Sequence, residues 1–551
     1  MRRLRAAAAS FAAGMTFGAA ARSPWCPAII HAAASTSTAS ATDFDYDIVV
    51  IGGGSGGLAA AKQAAENGAR VALCDFVTPT SHGTKWGLGG TCVNVGCIPK
   101  KIMHYTALQR HERLVSPAFG FPAKNEDATA AGDVPEGQAA LVDWAILQAN
   151  TDMYIRSLNF GYASSLRSKK VKYLNARASF LDPHTLSCVN QKGETVTVTA
   201  KTVIVAVGCR PTQLSIPGGE VAITSDDLFR RPVDPGSTLV VGSGVVGLEC
   251  AGMLHGIGRR ATVMMRSIPL RGYDEDMARR VLEYMEEAGV GVIRGTVPSA
   301  IRIASESTPE KPKYLVDYTD STSGAVKTCG PFDTVLYAAG RKPLTSELAL
   351  DRAGVKVSPK TGKIVVDAYE ATSQPSVFAI GDVADGRPEL TPPAIQSGIL
   401  LANRLVAATP PPPLHMVQPL DYSGVPMTVF TPLEYSFVGM TEEEARSRLP
   451  SGQLETYHAN FLPLEWSLSH QPPNTCYMKL LVDKATDRVV GFHLLAPNAG
   501  EVTQGVAVAL RAGATKAMFD TTIGIHPTVA ETMTSLSITK ASGRSPAKEG
   551  C

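Results

Sequence analysis

Two thiols sit five residues apart in Gly89-Gly90-Thr91-Cys92-Val93-Asn94-Val95-Gly96-Cys97-Ile98-Pro99-Lys100, and a further one closes the chain at Gly550-Cys551. Thiol–disulfide exchange needs a thiolate that attacks, a sulfur that leaves and a group that protonates the leaving sulfur. Cys92 and Cys97 can supply the first two. An ideal helix would separate their Cα atoms by about 7.5 Å along its axis, whereas a disulfide requires less than about 7 Å. The segment is therefore predicted to be irregular, with Gly96 and Pro99 as the means. A helix N-terminus and Lys100 nearby would acidify a thiol from its usual value of ~8.5.

The proton donor is sought in His526-Pro527-Thr528-Val529-Ala530-Glu531. Pro527 disfavours helical geometry at His526 and suits a first helical position, so His526 is expected at a helix start, with Glu531 one turn on to orient the ring. Imidazoles titrate near neutrality and serve as general acids and bases. Cys74, Cys188, Cys209, Cys250, Cys329 and Cys476 are expected as reduced core thiols, because ten cysteines in 551 residues are too sparse for a disulfide scaffold.

The elements that must position these groups begin at Asp45-Tyr46-Asp47-Ile48-Val49-Val50-Ile51, an apolar β-branched run. Gly52-x-Gly54-x-x-Gly57 and an Ala-rich amphipathic stretch follow, the order strand, turn, helix. Such a turn lets backbone approach a pyrophosphate at a helix N-terminus, and Asp75, ending the next strand, can bind ribose hydroxyls. Val377-Phe378-Ala379-Ile380-Gly381-Asp382 offers a second carboxylate, suited to the sugar-like chain of a flavin. A second copy of the pattern occurs at Ser237–Val241 with Gly242, Gly244 and Gly247. Its next strand, Ala261–Met265, ends in Arg266, with Arg271 close behind; cations at that place favour a ribose 2′-phosphate, hence NADP over NAD. Each copy is answered by a later strand and glycine, Val203–Gly208 and Val335–Gly340, so the second nucleotide-binding unit is predicted to be inserted in the first.

The remaining composition bounds the reading. The formal charge of +2 gives no electrostatic case for nucleic acid, no apolar run is long enough to span a membrane, and no metal-ligand pattern is found. Residues 1–42 carry Arg2, Arg3, Arg5 and Arg22 with no acid, the composition of a transit peptide; its removal shifts the charge to about −2. The mitochondrion is the expected destination, with the plastid, the secretory route or a cytoplasmic isoform as alternatives. Residues 120–140 read as an inserted surface loop of unassigned role, Pro410–Pro413 as a stiff linker, and 541–551 as a mobile tail.

On these residues the chain resembles the pyridine nucleotide–disulfide oxidoreductases, and within them the high-molecular-weight thioredoxin reductases. Matching stretches include Lys85-Trp86-Gly87-Leu88-Gly89-Gly90-Thr91-Cys92, Arg266-Ser267-Ile268-Pro269-Leu270-Arg271-Gly272, Phe430-Thr431-Pro432-Leu433-Glu434-Tyr435 and Thr522-Ile523-Gly524-Ile525-His526-Pro527. The resemblance implies an α/β chain with two Rossmann-like domains, the second inserted in the first, and an α/β dimerisation domain. The expected bounds are a transit peptide over 1–42, an FAD domain over 43–215 and 344–412, an NADPH domain over 216–343, a dimerisation domain over 413–540 and a redox tail over 541–551.

The roles carried over are these. Cys97 would be the thiol facing FAD, and Cys92 the interchange thiol. Lys100 and Glu249 would lie near flavin and nicotinamide. His526, with Glu531 behind it, would act from the other subunit of a homodimer. Gly52, Gly54, Gly57, Asp75, Thr91, Gly208 and Asp382 would hold FAD; Gly242, Gly244, Gly247, Arg266, Arg271, Gly340 and Arg341 would hold NADPH. Cys551 would pair with a selenocysteine beyond the printed chain and reduce thioredoxin. Two departures stand out: Val245 replaces a Tyr that shields flavin in many relatives, and Phe160 stands in place of an indole, whereas Tyr162 matches. The rival readings are a glutathione reductase, which would share the dithiol but call for an arginine where Lys62 stands, and a non-catalytic flavoprotein scaffold.

Overall fold

The computed structural model describes residues 44–121, 142–469, 472 and 475–547. The expected transit peptide, most of the 120–140 insertion and Cys551 lie outside the described residues.

The first apolar run forms strand β1 (Tyr46–Ile51), whose last four residues are buried, and the glycine turn leads into helix α1 (Ser55–Glu66). Strand β2 (Val71–Cys74) pairs parallel to β1. Helices α2 (Gly90–Val95), α3 (Cys97–Val115) and α4 (Trp144–Ser168) then precede strands β3 (Lys172–Leu174), β4 (Ala176–Asp182), β5 (Thr185–Asn190) and β6 (Thr195–Val205). The sheet runs β3-β2-β1-β6-β5-β4, its parallel part continuing into an antiparallel meander. Full burial of Val49, Val50, Val203 and Ile204 accounts for the near-continuous apolar reading of the central strands.

After β7 (Cys209–Pro211) and the short helix α5 (Ser225–Leu228) the pattern restarts. Strand β8 (Thr238–Val241), helix α6 (Val245–Gly256), strand β9 (Ala261–Met265), helix α7 (Glu275–Glu287) and strand β10 (Gly291–Arg294) precede a three-stranded antiparallel excursion, β11 (Pro298–Ile303), β12 (Tyr314–Thr319) and β13 (Val326–Phe332). Strand β14 (Thr334–Tyr337) closes the second parallel sheet, ordered β10-β9-β8-β14. Through β15 (Arg341–Pro343), which pairs with β7, the chain returns; β16 (Val377–Ala379) pairs parallel to β6 of the first sheet, followed by helix α8 (Thr391–Leu405). The second nucleotide unit is thus inserted in the first.

The last region is a five-stranded antiparallel sheet built from β17 (Met427–Val429), β18 (Tyr435–Gly439), β19 (Leu454–Phe461), β20 (Cys476–Asp483) and β21 (Arg488–Leu495) in the order 17-18-21-20-19. Helix α9 (Glu442–Arg448) lies between β18 and β19; helices α10 (Ala499–Arg511) and α11 (Lys516–Thr521) follow β21. It is tied to the inserted unit by a buried ionic cluster. Lys479 Nζ lies 2.6 Å from Asp274 Oδ1 and 3.0 Å from Glu442 Oε2, with Lys479 and Asp274 wholly inaccessible. Lys540 adds contacts of 2.7 Å to Glu442 and 2.9 Å to Asp276.

The C-terminal segment differs from the expected mobile tail. Over its described part, Asn460 N–H donates to the Pro546 carbonyl at 2.8 Å, and Tyr457 and Asn460 bridge to Thr539 and Ala547. The segment lies along the free edge of β19, whose outward amides would otherwise stay unpaired. No described helix is long and apolar enough to cross a membrane.

Candidate active site

The two parallel sheets open onto one cleft of about 1100 Å³, lined by both glycine turns, Cys92, Cys97, Lys100 and Glu249. Gly52 sits at φ +110°, and a Cβ there would come within 2.3 Å of the Ala206 carbonyl. A Cβ on Gly57 would meet the Gly52 carbonyl at 1.9 Å, so helix packs directly on strand. At Gly54 the nearest atom is 3.8 Å away, leaving the helix N-terminus open for a phosphate. The second turn repeats this, with Gly242 at φ +122°, Gly247 against the Gly242 carbonyl and open space at Gly244. Two dinucleotide cradles therefore face one cleft, which fits FAD in the first and NADPH in the second.

Asp75 accepts the Gly53 N–H at 2.8 Å, and burial pushes its carboxyl up to about 6. Asp382, in the turn after β16, also lines the cleft and is raised by burial, against the opposing pull of Arg341. Thr91 and Gly208 complete the first cradle. Cys209, Asp382 and Glu389 bring ligand atoms within 4.8 Å of one another, but Lys363 and Arg341 already supply cation to Glu389, at 2.7 and 3.8 Å. In the second cradle Arg266 and Arg271 are exposed and line the cleft with Gly340. Arg341 lines it as well, with its guanidinium donating to the Cys209 carbonyl at 2.6 Å. Val245 occupies the first position of α6, half-buried.

The dithiol segment is irregular, as its spacing predicts. Gly96, at φ −141° and ψ −118°, separates α2 from α3, so Cys97 becomes the first residue of a 19-residue helix. Pro99 sits in the first turn of α3, where no intrahelical N–H is needed, and does not make the break. The two sulfurs are hydrogen-bonded as thiols. That bond, together with the charge of Lys100 and the Thr391 hydroxyl, lowers the Cys97 thiol to about 6 against the opposing effect of burial. The Cys92 thiol is pushed up, first by the same bond and then by burial. The opposite directions of the two shifts favour Cys97 as the thiolate of the pair.

Lys100 Nζ meets Glu249 Oε1 at 2.9 Å, with both side chains largely enclosed. Helices α3 and α6 make this possible: two turns on from each partner, a Cβ at Gly256 would stand 2.5 Å from Ala107 Cβ, so the axes approach closely. Sequence reasoning missed two contributors. Thr391, at the start of α8, puts Oγ1 3.7 Å from Cys97 Sγ; the Thr391-Pro392-Pro393 run marks a helix start but not a sulfur contact. Phe430 donates its N–H to Glu249 at 2.9 Å, and no local pattern announces that.

His526 stands elsewhere. Its Nδ1 lies 3.1 Å from both Glu531 oxygens, as expected, but neither residue lines the cleft. His526 is not at a helix start. Thr528 Oγ1 accepts the Glu531 N–H and initiates a short 3-10 turn only at Ala530, so the chain stays irregular from 522 to 529. This stretch is strongly exposed, with Ile523 at 91% and Ile525 at 76%. Phe160 is also exposed, while Tyr162 packs against Gly89 beside Lys62. Of the core thiols, five are buried and Cys329 is only half-buried.

Comparison with known proteins agrees with this geometry. Residues 46–398 match the family described as pyridine nucleotide-disulphide oxidoreductase, and 425–537 match the dimerisation domain of the same family. Thioredoxin reductase SEP1 of Emiliania huxleyi is 49% identical over 517 residues, covering 92% of this chain and 98% of that protein.

Proposed function

The chain belongs to the pyridine nucleotide–disulphide oxidoreductases, and from that premise we propose that it reduces the disulfide of thioredoxin with electrons from NADPH. The observation that carries this reading is the single cleft onto which two dinucleotide cradles and an acidified Cys92–Cys97 dithiol open. FAD in the first cradle supplies the two-electron relay between nicotinamide and dithiol. The chain's own residues do the rest. Arg266 and Arg271 meet the 2′-phosphate of NADPH, and Asp75 and Asp382 orient the ribose and ribityl hydroxyls of FAD. Lys100 and Thr391 hold Cys97 as thiolate, leaving Cys92 to attack the next disulfide in line.

His526, oriented by Glu531, would protonate the leaving sulfur. Because it stands on an exposed apolar stretch away from its own cleft, the reading places it in the cleft of a second copy of the chain, in a homodimer joined through the matched dimerisation domain. A C-terminal pair of Cys551 with a following selenocysteine would carry electrons from Cys92 to thioredoxin. The basic, acid-free residues 1–42 support delivery to the mitochondrion.

The test is NADPH oxidation by the purified holoenzyme with oxidised thioredoxin or oxidised glutathione as sole acceptor. Turnover with thioredoxin, lost in Cys97→Ser, supports the proposal. Turnover with glutathione alone makes this a glutathione reductase, and flavin that NADPH fails to reduce makes it a scaffold. The intact mass of the C-terminal peptide from the natural source decides the selenocysteine.

A further inference from the structure

Glu249 has two hydrogen-bond donors, and the second comes from the dimerisation region. Oε1 accepts Lys100 Nζ and the Phe430 N–H, each at 2.9 Å. The Phe430 ring meets two ammonium groups of α3, with its centroid 4.5 Å from Lys100 Nζ and 4.1 Å from Lys101 Nζ. His104, one turn further along α3, meets the ring edge-on at 5.7 Å. Cation–ring contacts of this kind are attractive, and more so where water is excluded.

The loop that carries Phe430 is itself fixed. Thr431 is wholly buried and donates to the Leu433 carbonyl at 2.7 Å. Glu434 takes Lys101 at 3.3 Å and His104 at 3.1 Å. On the other side Pro432 lies so close to α6 that a Cβ on Gly252 would stand 2.5 Å from its Cδ. One loop thus grips both helices that carry the ion pair.

We propose that Phe430 is a positioning residue: its N–H and ring hold the Lys100–Glu249 pair in the orientation that presents the Lys100 ammonium to Cys97. The charged and polar groups that act on Cys97 are Cys92 on α2, Lys100 on its own helix, Thr391 on α8 and Glu249 on α6. Of these, Lys100 favours the thiolate and Glu249 opposes it. A Glu249 carboxylate tied to two donors, and a Lys100 ammonium held against a ring, keep that balance on the side of the thiolate. This inference deepens the proposed function, but its test uses no thioredoxin.

The experiment is the rate of iodoacetamide alkylation of Cys97, located by peptide mass, in FAD-loaded enzyme reduced with a small dithiol and desalted. Wild type, Phe430→Leu and Phe430→Tyr are compared between pH 6 and pH 9, the lowered and ordinary thiol values. Phe430→Leu keeps the apolar bulk without the ring. It should alkylate several-fold more slowly at pH 6 and at the wild-type rate at pH 9, whereas Phe430→Tyr should follow wild type throughout. Gly252→Ala, which pushes Pro432 off α6 while leaving Phe430 intact, should shift the profile in the same direction and serves if Phe430→Leu fails to fold. Superimposable profiles for all variants, or equal slowing in Phe430→Leu and Phe430→Tyr, would overturn the inference. Wild-type enzyme that fails to reduce thioredoxin would overturn the proposed function and leave this profile standing.

Discussion

His526 Nδ1 lies 3.1 Å from both oxygens of Glu531, yet this oriented pair stands outside the cleft that holds Cys92 and Cys97. A histidine so held is arranged to transfer a proton at Nε2, and under the proposed function the dithiol that receives it belongs to a second copy of the chain. Two variants with complementary defects test this. His526→Gln and Cys97→Ser homodimers should each lose thioredoxin turnover, the first by roughly 10²–10⁴-fold, the usual worth of a general acid. In a mixed dimer one site inherits both intact groups and should regain activity. Mixed dimers as inactive as their parents would place His526 on its own dithiol.

The dithiol gives the pH dependence. The Cys97 thiol is lowered from its ordinary value of 9.0 to about 6, chiefly by the hydrogen bond from Cys92. A lowered thiol is ionised above the shifted value and loses its thiolate as pH falls through it. Thiolate-dependent steps should therefore be flat from pH 9 down to about pH 6 and then decline about tenfold per unit. Cys92→Ser, which replaces the sulfur donor by a hydroxyl, should move the midpoint upward. A wild-type midpoint near 9 in rapid alkylation would contradict the assignment.

The proposed coenzyme preference rests on two arginines that are exposed and line the cleft. Charge-assisted hydrogen bonds are worth roughly 1.5–3 kcal/mol, so losing Arg266 or Arg271 should raise KM for NADPH by ~10- to 150-fold. KM for NADH, which has no 2′-phosphate to lose, should change little. Equal effects on both coenzymes would mean that these arginines shape the cleft instead of reading the phosphate.

Much of this was legible in the sequence because the chemistry is local there. A glycine turn between strand and helix, or two cysteines at a spacing no straight helix can bridge, states its geometry in a dozen residues. Lys100 and Glu249 are 149 positions apart and only a resemblance paired them. Thr391 and Phe430 reach the site through helix packing and a loop contact that no periodicity encodes. The expected helix start at His526 fails because Thr528, one residue beyond Pro527, supplies the side-chain oxygen that begins the turn. The tail's small polar residues predict mobility, but an edge strand with unpaired amides gives its described part somewhere to lie.

The buried cluster should be a stability determinant. Lys479 neutralises Asp274 and Glu442, whose carboxyls its charge helps hold below their usual range against burial. Lys479→Met leaves two carboxylates with fewer cations in a dry interior. Breaking a buried pair in this way costs about 3–5 kcal/mol. The denaturation midpoint should fall sharply, and the loss should shrink in acid, where the orphaned carboxylates protonate. A variant as stable as wild type would mean that Lys540, 2.7 Å from Glu442, suffices.

The docked C-terminal segment makes the last prediction. The described part of the C-terminal segment is held along β19 as far as Ala547. An extended chain spans at most about 3.3–3.6 Å per residue, so the reach of Cys551 is set by where residue 547 is held. Deleting 541–551 should expose the Asn460 amide of β19 to exchange, abolish thioredoxin turnover and leave NADPH-driven reduction of small quinones intact, because the flavin cradle and the Cys92–Cys97 dithiol are untouched. Asn460→Pro removes one docking donor at an edge where proline is tolerated. It should speed exchange over 541–547 without touching quinone reduction. If deletion of 541–551 left thioredoxin turnover unchanged, Cys92 itself would be the thiol that meets the protein disulfide.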